Sequence, residues 1–344
     1  MKKFLCSILI LALSLAVSGC EYYEGKDKVC VVSYDHEIFN GVTNNETYNG
    51  IKSHFGDILV AYFENTNPEE FEDNFKTILN ENFDFIWCLE EGGAETVLKH
   101  GKGRDDIKFC LLDTKLDKVP ENFITLSYRE HEGGFLAGYL AAKYSVSKQI
   151  GFLGTEGEKI SEKYENGFIA GANYAGRIYE FEPIISTKYV SDSFNRSLAK
   201  SAALSLYNES SCDVIFHALQ SGGVGAIEAA VEVNKYIIGS SVEQSGYGPN
   251  NVLTSIIKNS KVASSTLLTL YNEDELEFGK NYEYGVDTRT ITLSKTYTVI
   301  EKPLYDEVSK IRGLITSKEI EVPETDEELA VYLEELKKMN AKYQ

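Results

Sequence analysis

The sequence predicts an α/β fold in which two doubly wound αβ lobes are joined by a hinge. Short apolar runs alternate along the chain with helical segments, a pattern typical of parallel sheets covered on both faces. The alternation restarts after residue 127, and 344 residues suffice for two domains of ordinary size. The predicted boundaries are 28–127 plus about 250–277 for the N-terminal lobe, 128–249 plus about 278–300 for the C-terminal lobe, and 301–344 for a C-terminal helical segment.

In the N-terminal lobe, continuous apolar runs predict strands, and the polar or amphipathic segments between them predict helices. One of these helices opens with Glu69 and Glu70, and acidic side chains favour the positive end of the helix dipole. The predicted strands are 29–33, 57–63, 83–89, 108–112 and 122–127, and the predicted helices are 47–55, 68–80 and 94–100.

The C-terminal lobe begins with a predicted helix, 132–144, that is rich in Gly and Ala and therefore suited to close packing on a sheet. The strands predicted after it are 149–153, 182–190, 213–218 and 235–239, and the helices are 162–175, 196–207 and 226–233. The remaining elements are a return strand at 252–258, a helix at 262–271, an extended segment at 282–293 and terminal helices at 304–316 and 326–338.

The first 19 residues predict a signal peptide rather than a part of the fold. Lys2 and Lys3 precede an apolar stretch, 4–17, which is shorter than the roughly 20 residues that a membrane-spanning helix needs. Small residues then lead into Cys20, a pattern that resembles the bacterial lipobox. We therefore expect cleavage before Cys20 and a lipid on its sulfur. With a polar tether over 20–27, the lipid would hold the chain on the extracytoplasmic face of the cell membrane without spanning it.

Charge and cysteine usage exclude several kinds of site. The chain has 34 basic and 53 acidic side chains, a net charge of -19, which argues against a nucleic-acid partner. Cys30, Cys88, Cys110 and Cys212 each lie in an apolar run without Cys-x-x-Cys or Cys/His spacing. They therefore predict small buried side chains rather than a zinc or redox site, and no metal or cofactor is predicted.

A catalytic function is a less favoured interpretation of the same sequence. Asp35 and His36 with Ser33, or Asp213 with His217, could be a catalytic arrangement. The sequence has no Gly-x-Ser-x-Gly elbow and no phosphate-binding loop to accompany such a pair. We therefore predict a binding protein without catalytic residues.

The position of polar residues after the strands predicts where a ligand would bind. In open parallel sheets, ligands bind beyond the carboxyl ends of the strands. Two lobes that face each other with such ends make a clamp that can close about a solute. The residues at these ends are Tyr34, Asp35, His36, Glu90, Glu91, Asp113, Gln220, Ser221, Gly222, Ser240, Ser241 and Glu243.

Several stretches, in order and at similar spacing, resemble one family. They are HEIFN at 36–40, FCLLD at 109–113, EGGFLAG at 132–138, NGFIAGA at 166–172, CDVIF with its glycine loop at 212–225, QS with VLTSIIK at 244–258, and IEVP at 320–323. The chain resembles the basic membrane protein (BMP) family, the purine-nucleoside-binding lipoproteins of ABC transporters. The resemblance covers nearly the whole mature chain and implies a type I periplasmic-binding-protein-like clamp that delivers its solute to an ABC permease in the membrane.

The resemblance also implies roles for single residues. Phe39 would stack on the purine, Asp113 would read polar atoms of the base or sugar, and Lys258 would contact the ribose hydroxyls. The full candidate ligand-binding set is Asp35, His36, Phe39, Asn40, Glu90, Asp113, Phe216, Ser221, Gly222, Ser241 and Lys258.

The chain departs from the family pattern at the candidate site. The family has an Asp where this chain has Ser241, which removes a charged partner for a ribose hydroxyl. His36 replaces the Asp of the first loop, although Asp35 stands one place earlier, and Glu90-Glu91 replaces a usual glycine. Two alternatives therefore remain open. The clamp could bind an amine-bearing ligand, or it could act as a sensory or regulatory module.

Overall fold

The computed structural model describes residues 27–34, 38, 42–55, 60–64, 67–296 and 299–338. The predicted signal peptide, Cys20 and most of the tether lie outside the described residues. Within them, the chain forms two six-stranded sheets with helices on their faces. This arrangement confirms the predicted two-lobe α/β fold.

The first sheet is parallel throughout, and its two faces pack against different helices. Its strands are β1 (Val29–Val32), β2 (Val60–Phe63), β3 (Phe85–Cys88), β4 (Lys108–Leu112), β5 (Phe123–Tyr128) and β11 (Lys280–Tyr284), in the order β11-β5-β4-β3-β1-β2. The helices are α1 (Val42–Phe55) and α8 (Ser260–Asn272) on one face, and α2 (Pro68–Ile78) and α3 (Ala94–Gly101) on the other. Because side chains alternate along a strand, Trp87 packs on the face covered by α1 and α8, and its neighbour Cys88 packs on the face covered by α2 and α3.

The second sheet repeats this arrangement with one antiparallel edge. Its strands are β6 (Gln149–Thr155), β7 (Ile184–Val190), β8 (Val214–His217), β9 (Tyr236–Ser241), β10 (Val252–Lys258) and β12 (Ile291–Leu293), in the order β12-β10-β9-β8-β6-β7. Only the β10–β12 pair is antiparallel among the described strands of this sheet. The helices are α4 (Glu130–Tyr144) and α5 (Lys159–Tyr179) on one face, and α6 (Arg196–Asn208) and α7 (Gly223–Glu232) on the other.

The predicted division of the chain after residue 250 is wrong for two strands. Strand β10, assigned to the N-terminal lobe, pairs with β9 in the second sheet, and only the following helix α8 packs in the first lobe, against α1. The single extended segment predicted at 282–293 is two strands in different sheets, since β11 pairs with β5 and β12 with β10. An apolar run predicts a strand but does not say which sheet it joins, so these crossings could not be read from the pattern.

Helices α4 and α5 are in contact backbone to backbone. A Cβ atom at Gly138 would lie 2.0 Å from the carbonyl oxygen of Phe168, and one at Gly171 would lie 2.0 Å from that of Phe135. The small residues of α4 are thus used mainly for close approach to a neighbouring helix. The same helix also packs on β8, β10 and β12, so it ties α5 to the second sheet.

Three chain crossings, at 128–130, 258–260 and 284–291, join the lobes, and together we call them the hinge. The Arg129 amide donates to the Tyr284 carbonyl at 2.8 Å, and its guanidinium donates to the Glu283 carbonyl at 2.9 Å. The Asn259 amide donates to the Thr290 carbonyl at 2.7 Å. The first and second crossings are therefore both bonded to the third.

The C-terminal helices α9 (Lys302–Thr316) and α10 (Asp326–Lys338) pack on α4 and α5 respectively. Their docking includes a hydrogen bond of 2.5 Å from the Tyr139 hydroxyl to Glu307. None of the described helices has the length and apolarity that crossing a bilayer requires. The four described cysteines are buried free thiols, as predicted.

Candidate ligand-binding site

The first loop of the candidate site is only partly described. Asp35, His36, Phe39 and Asn40 lie outside the described residues, so their predicted roles remain predictions. Ile38, inside the loop, is fully buried, and its amide donates to Glu64 Oε1 at 2.8 Å.

A three-residue cluster of charged side chains lies where the carboxyl ends of the two sheets meet. Lys258 is the last residue of β10, and its ammonium donates to Asp113 Oδ1 at 3.0 Å and to Glu130 Oε1 at 2.9 Å. Asp113 follows β4 of the first sheet, so its contact with Lys258 spans the two lobes. The structure thus brings together Asp113 and Lys258, which the sequence predicted as ligand-binding residues at separate positions. We call Asp113, Glu130 and Lys258 the charged cluster.

The charged cluster is largely removed from water. Lys258 is 5% exposed and Glu130 1% exposed, and the lysine ammonium lies 4.2 Å from the centre of the Tyr128 ring. Burial lowers the pKa of Lys258, but the charges of Asp113 and Glu130 outweigh it, so that its pKa stands well above the usual range. Burial raises the pKa of Glu130, an effect that the Lys258 charge opposes. A buried charge without a partner would be costly, so each member of the cluster depends on the others.

Ser241, where the sequence resemblance predicts an Asp, lies next to this cluster. It is the last residue of β9 and pairs in register with Ile257, the neighbour of Lys258. Its backbone is left-handed, with φ of 67°, and Asp113 at the end of β4 is also left-handed, with φ of 50°. Side chains other than Gly, Asn and Asp rarely adopt this conformation. Each sheet therefore ends at the cleft with a residue in a backbone conformation that suits Asp.

The side chains at the end of β8 form a neutral hydrogen-bonded network and not an ion pair. His217 Nε2 lies 2.9 Å from Gln244 Oε1, and the Leu219 amide donates to His217 Nδ1 at 3.3 Å. Because Nδ1 accepts a hydrogen bond, the proton belongs on Nε2, which then donates to Gln244. Burial lowers the pKa of His217 to about 4.

The postulated Asp213–His217 dyad is not formed. Asp213 precedes β8, at the opposite end of the strand from His217. Its carboxylate accepts hydrogen bonds from the Ser145 hydroxyl and from the amides of Val146 and Ser147. It therefore secures the turn before β6 rather than orienting the histidine.

Three of the predicted ligand-binding residues lie in the second lobe, and the structure shows what surrounds each of them. The predicted contact of Phe216 with a ligand stays a prediction, but here Phe216 is 0% exposed and its ring packs among those of Phe152, Tyr164 and Phe168. The reason is strand alternation, which turns Phe216 toward the helix layer. Gly222 approaches the Ser193 carbonyl so closely that a Cβ atom would lie 2.5 Å from it, which explains the glycine by packing. Ser221 is exposed at the start of α7.

Glu90 holds the first loop instead of facing solvent. Its carboxylate accepts a hydrogen bond from the Tyr34 amide and another, of 2.6 Å, from Asn44 of α1. The next residue, Glu91, forms an ion pair of 2.6 Å with Lys159 of the second lobe, and both side chains are at least half exposed. Glu90 is therefore a support of the first loop, and Glu91 makes a second ionic contact between the lobes.

Sequence reasoning missed Glu130, the buried partner of Lys258. The rule that ligands bind beyond strand ends would have found it, because β5 ends at Tyr128, two residues before it. The predicted helix began at residue 132, which left Glu130 in an unassigned connection. In the part of the chain that the structure describes, no group of three or more His, Cys, Asp and Glu side chains could hold a metal ion.

Comparison with known proteins identifies the family of this clamp. Residues 28–326 match the family model described as "ABC transporter substrate-binding protein PnrA-like" (Bmp). The similar proteins include basic membrane protein A of Borreliella burgdorferi, 29% identical, covering 88% of this chain and 87% of the relative. Basic membrane protein A2 of Borrelia garinii subsp. bavariensis is also 29% identical, covering 97% and 100%.

Solved structures with the same fold are more distant in sequence. A solute-binding protein of an ABC transporter system from Aeropyrum pernix K1 has a TM-score of 0.75 at 17% identity, covering 91% of this chain and 98% of that one. A transcriptional activator of the comK gene from Bacillus halodurans has a TM-score of 0.72 at 20% identity, covering 85% and 99%. These two likenesses concern the fold. The match to the family model spans most of the sequence, and the chain therefore belongs to the Bmp family of PnrA-like ABC transporter substrate-binding proteins.

Proposed function

We propose that the chain binds a nucleoside with a purine base in the cleft between its lobes and delivers it to an ABC permease. The observation that carries this proposal is the contact between Lys258 and Asp113, 3.0 Å apart across the cleft. A ribose hydroxyl pair can accept from an ammonium and donate to a carboxylate, so a sugar placed here would satisfy both side chains. The first loop, held by Glu90 and Glu64, would bring Phe39 to the base.

The charge of the cluster bears on the class of solute. Two carboxylates and one ammonium give Asp113, Glu130 and Lys258 a net charge of -1. A neutral solute such as a nucleoside meets no repulsion there, whereas an anion would add a like charge at a poorly solvated site. The same excess favours an amine-bearing solute as the second candidate.

Thermal unfolding of a chain spanning residues 21–344 would test the solute. Adenosine, guanosine, inosine, free bases and small amines are added one at a time, and a solute at 100 times its Kd should add about 2.7 kcal/mol to the free energy of unfolding. A rise in Tm with a nucleoside but not with its free base supports the proposal. A rise with amines alone would favour the second candidate. If no solute raises Tm, both candidates are contradicted, and a sensory or regulatory clamp is favoured.

We infer further that lipid on Cys20 anchors the mature chain to the extracytoplasmic face of the cell membrane and that the protein catalyses no reaction. The sequence before the fold supports this placement, since small residues precede the cysteine. In a cell fractionation, the wild-type chain should sediment with membranes, and Cys20→Ser should become soluble or stay uncleaved. Recovery of both in the same membrane fraction at the same mass would contradict the anchor.

A further inference from the structure

Glu130 is a buried carboxylate with two lysines beside it, and no role in binding has been assigned to it above. Its Oε1 accepts from Lys258 at 2.9 Å, and its Oε2 lies 3.9 Å from Lys163 of α5. It is the first residue of α4, which packs on β10, the strand that ends at Lys258. Although both residues lie in hinge crossings, Glu130 is the first residue of α4 and Lys258 the last of β10, two elements of the same lobe.

Of the two partners of Lys258, only Glu130 lies on the same lobe as the lysine. Asp113 reaches the lysine from the first sheet, so separation of the lobes would break that contact. The contact with Glu130 would survive, since α4 and β10 move together. A lysine side chain is long and flexible, and without a fixed partner it would sample many orientations at the open cleft.

We propose that Glu130 is a positioning residue of the cleft: it holds the Lys258 ammonium at the end of β10 whether or not Asp113 is in contact. Lys258 would then meet an entering solute already charged and oriented, which lowers the entropy lost on binding. The proposal rests on the proposed function in one respect, that Lys258 contacts the solute.

The surroundings of Glu130 fix it in turn. Lys163 donates to the Tyr128 carbonyl at 3.3 Å and forms an ion pair of 2.7 Å with Glu324, which precedes α10. Charges of alternating sign thus run from the cleft to the C-terminal segment, in the order Asp113, Lys258, Glu130, Lys163 and Glu324. Glu130 stands in the middle of this row, where its charge is balanced from both sides.

Glu132 provides a matched control on the same helix. It is also buried, but its carboxylate accepts from Arg129 at 2.7 Å and from the Val286 amide at 2.7 Å. The substitution Glu132→Gln therefore disturbs the hinge by one buried charge without changing a partner of Lys258. A loss of nucleoside affinity found for Glu130→Gln and not for Glu132→Gln is therefore caused by the missing partner of Lys258.

The first experiment measures inosine, adenosine and guanosine binding to the full mature chain by titration calorimetry. We expect Glu130→Gln to weaken binding at least tenfold, Glu130→Asp to keep part of the affinity, and Glu132→Gln to weaken it less than threefold. In a Lys258→Met background, Glu130→Gln should cause no further loss. Equal losses at positions 130 and 132, or a full additional loss without Lys258, would overturn the proposal.

The second experiment needs no solute and so separates this inference from the proposed function. Tm is measured for Glu130→Gln, Lys258→Met and the double variant, by thermal unfolding of the same full mature chain. Each single variant leaves a buried charge with fewer partners, so the double variant should lose less Tm than the two single losses together. Additive losses would overturn the proposal even if nucleosides bind. If no nucleoside binds the wild type but the losses are not additive, the proposed function fails and Glu130 still positions Lys258.

Discussion

Among the residues that the structure describes, two ionic contacts join the lobes, and they differ in burial and in the partners around them. Asp113 and Lys258 meet at 3.0 Å where water is nearly excluded, and Glu130 supplies a second carboxylate. Glu91 and Lys159 meet at 2.6 Å with side chains that are 50% and 73% exposed. Exposed pairs contribute little and are screened by salt, whereas removal of one partner from a buried pair leaves an uncompensated charge. We call the Asp113–Lys258 pair the inner contact and the Glu91–Lys159 pair the outer contact. The inner contact should therefore control the integrity of the binding site, and the outer contact only how readily the lobes separate.

The largest effect is expected from removing the inner lysine. Lys258→Ala takes the lysine partner from Asp113 and leaves Glu130 only the more distant Lys163, and breaking a buried pair in this way costs about 3–5 kcal/mol. The free energy of unfolding in urea measures the loss. Lys159→Ala serves as the control and should cost less than about 1 kcal/mol. Equal losses in the two variants would remove the distinction between the contacts.

A carboxylate added beside the inner contact should sharpen its role in binding. Ser241→Asp would introduce the residue that the sequence resemblance predicts next to Lys258, in a left-handed backbone that suits Asp. A charge-assisted hydrogen bond contributes about 1.5–3 kcal/mol, so nucleoside affinity measured by calorimetry should rise roughly 10- to 100-fold. Ser241→Asn keeps the shape without the charge. An equal gain with Asn would mean that backbone conformation, and not charge, limits binding.

Acid should act on the inner region first. His131, beside Glu130, has its pKa lowered to about 4 by burial, against 6.5 for a free histidine. Between these values the unfolded state binds a proton that the folded state does not, so stability falls as pH falls. From pH 7 to pH 5 this histidine should cost about 2 kcal/mol.

The histidine contribution can be isolated by comparing wild type with His131→Gln in urea at both pH values. The variant should lose about 2 kcal/mol less than the wild type over this interval. Parallel losses would mean that His131 takes up its proton in the folded state.

The smallest effect is expected at the outer contact. Glu91→Gln should change nucleoside affinity less than about fivefold, the equivalent of about 1 kcal/mol or less for an exposed pair, and only at low salt. A zero-length carbodiimide cross-link between Glu91 and Lys159, detected by mass spectrometry, would report closure directly. The charge-reversed double variant Glu91→Lys with Lys159→Glu should recover the wild-type affinity. Failure to recover it would show that the two side chains do not act as a pair.

The same contrast explains what the sequence could predict. Runs such as VCVV at β1 and KFCLL at β4 are apolar because both faces of their sheet are covered, so the strands and the two-lobe fold followed from pattern alone. Asp113 was found by its place after β4, and Lys258 was found by resemblance to the family. Their contact depends on two lobes meeting in space, and no local pattern records such a meeting.

Other parts of the site depend on packing that a sequence does not show. Phe216 was predicted to contact the ligand, yet strand alternation turns it into the core. Glu90 could have faced solvent, and only the folded structure gives it the Tyr34 amide and Asn44 as partners. Glu130 was passed over because a helix boundary was placed two residues late, an ordinary error for an element without a capping side chain.

The bonded crossings of the hinge limit how the lobes can move. The bond from Arg129 to Tyr284 continues the β5–β11 ladder of the first sheet, and the bond from Asn259 to Thr290 continues the β10–β12 ladder of the second, so each fixes the third crossing to its neighbour at the edge of one lobe. We therefore expect each lobe to move as one body about the chain between these two points. Rigid lobes would open the inner and outer contacts together, and a single distance between two labels, one on each lobe, would then follow capture and release.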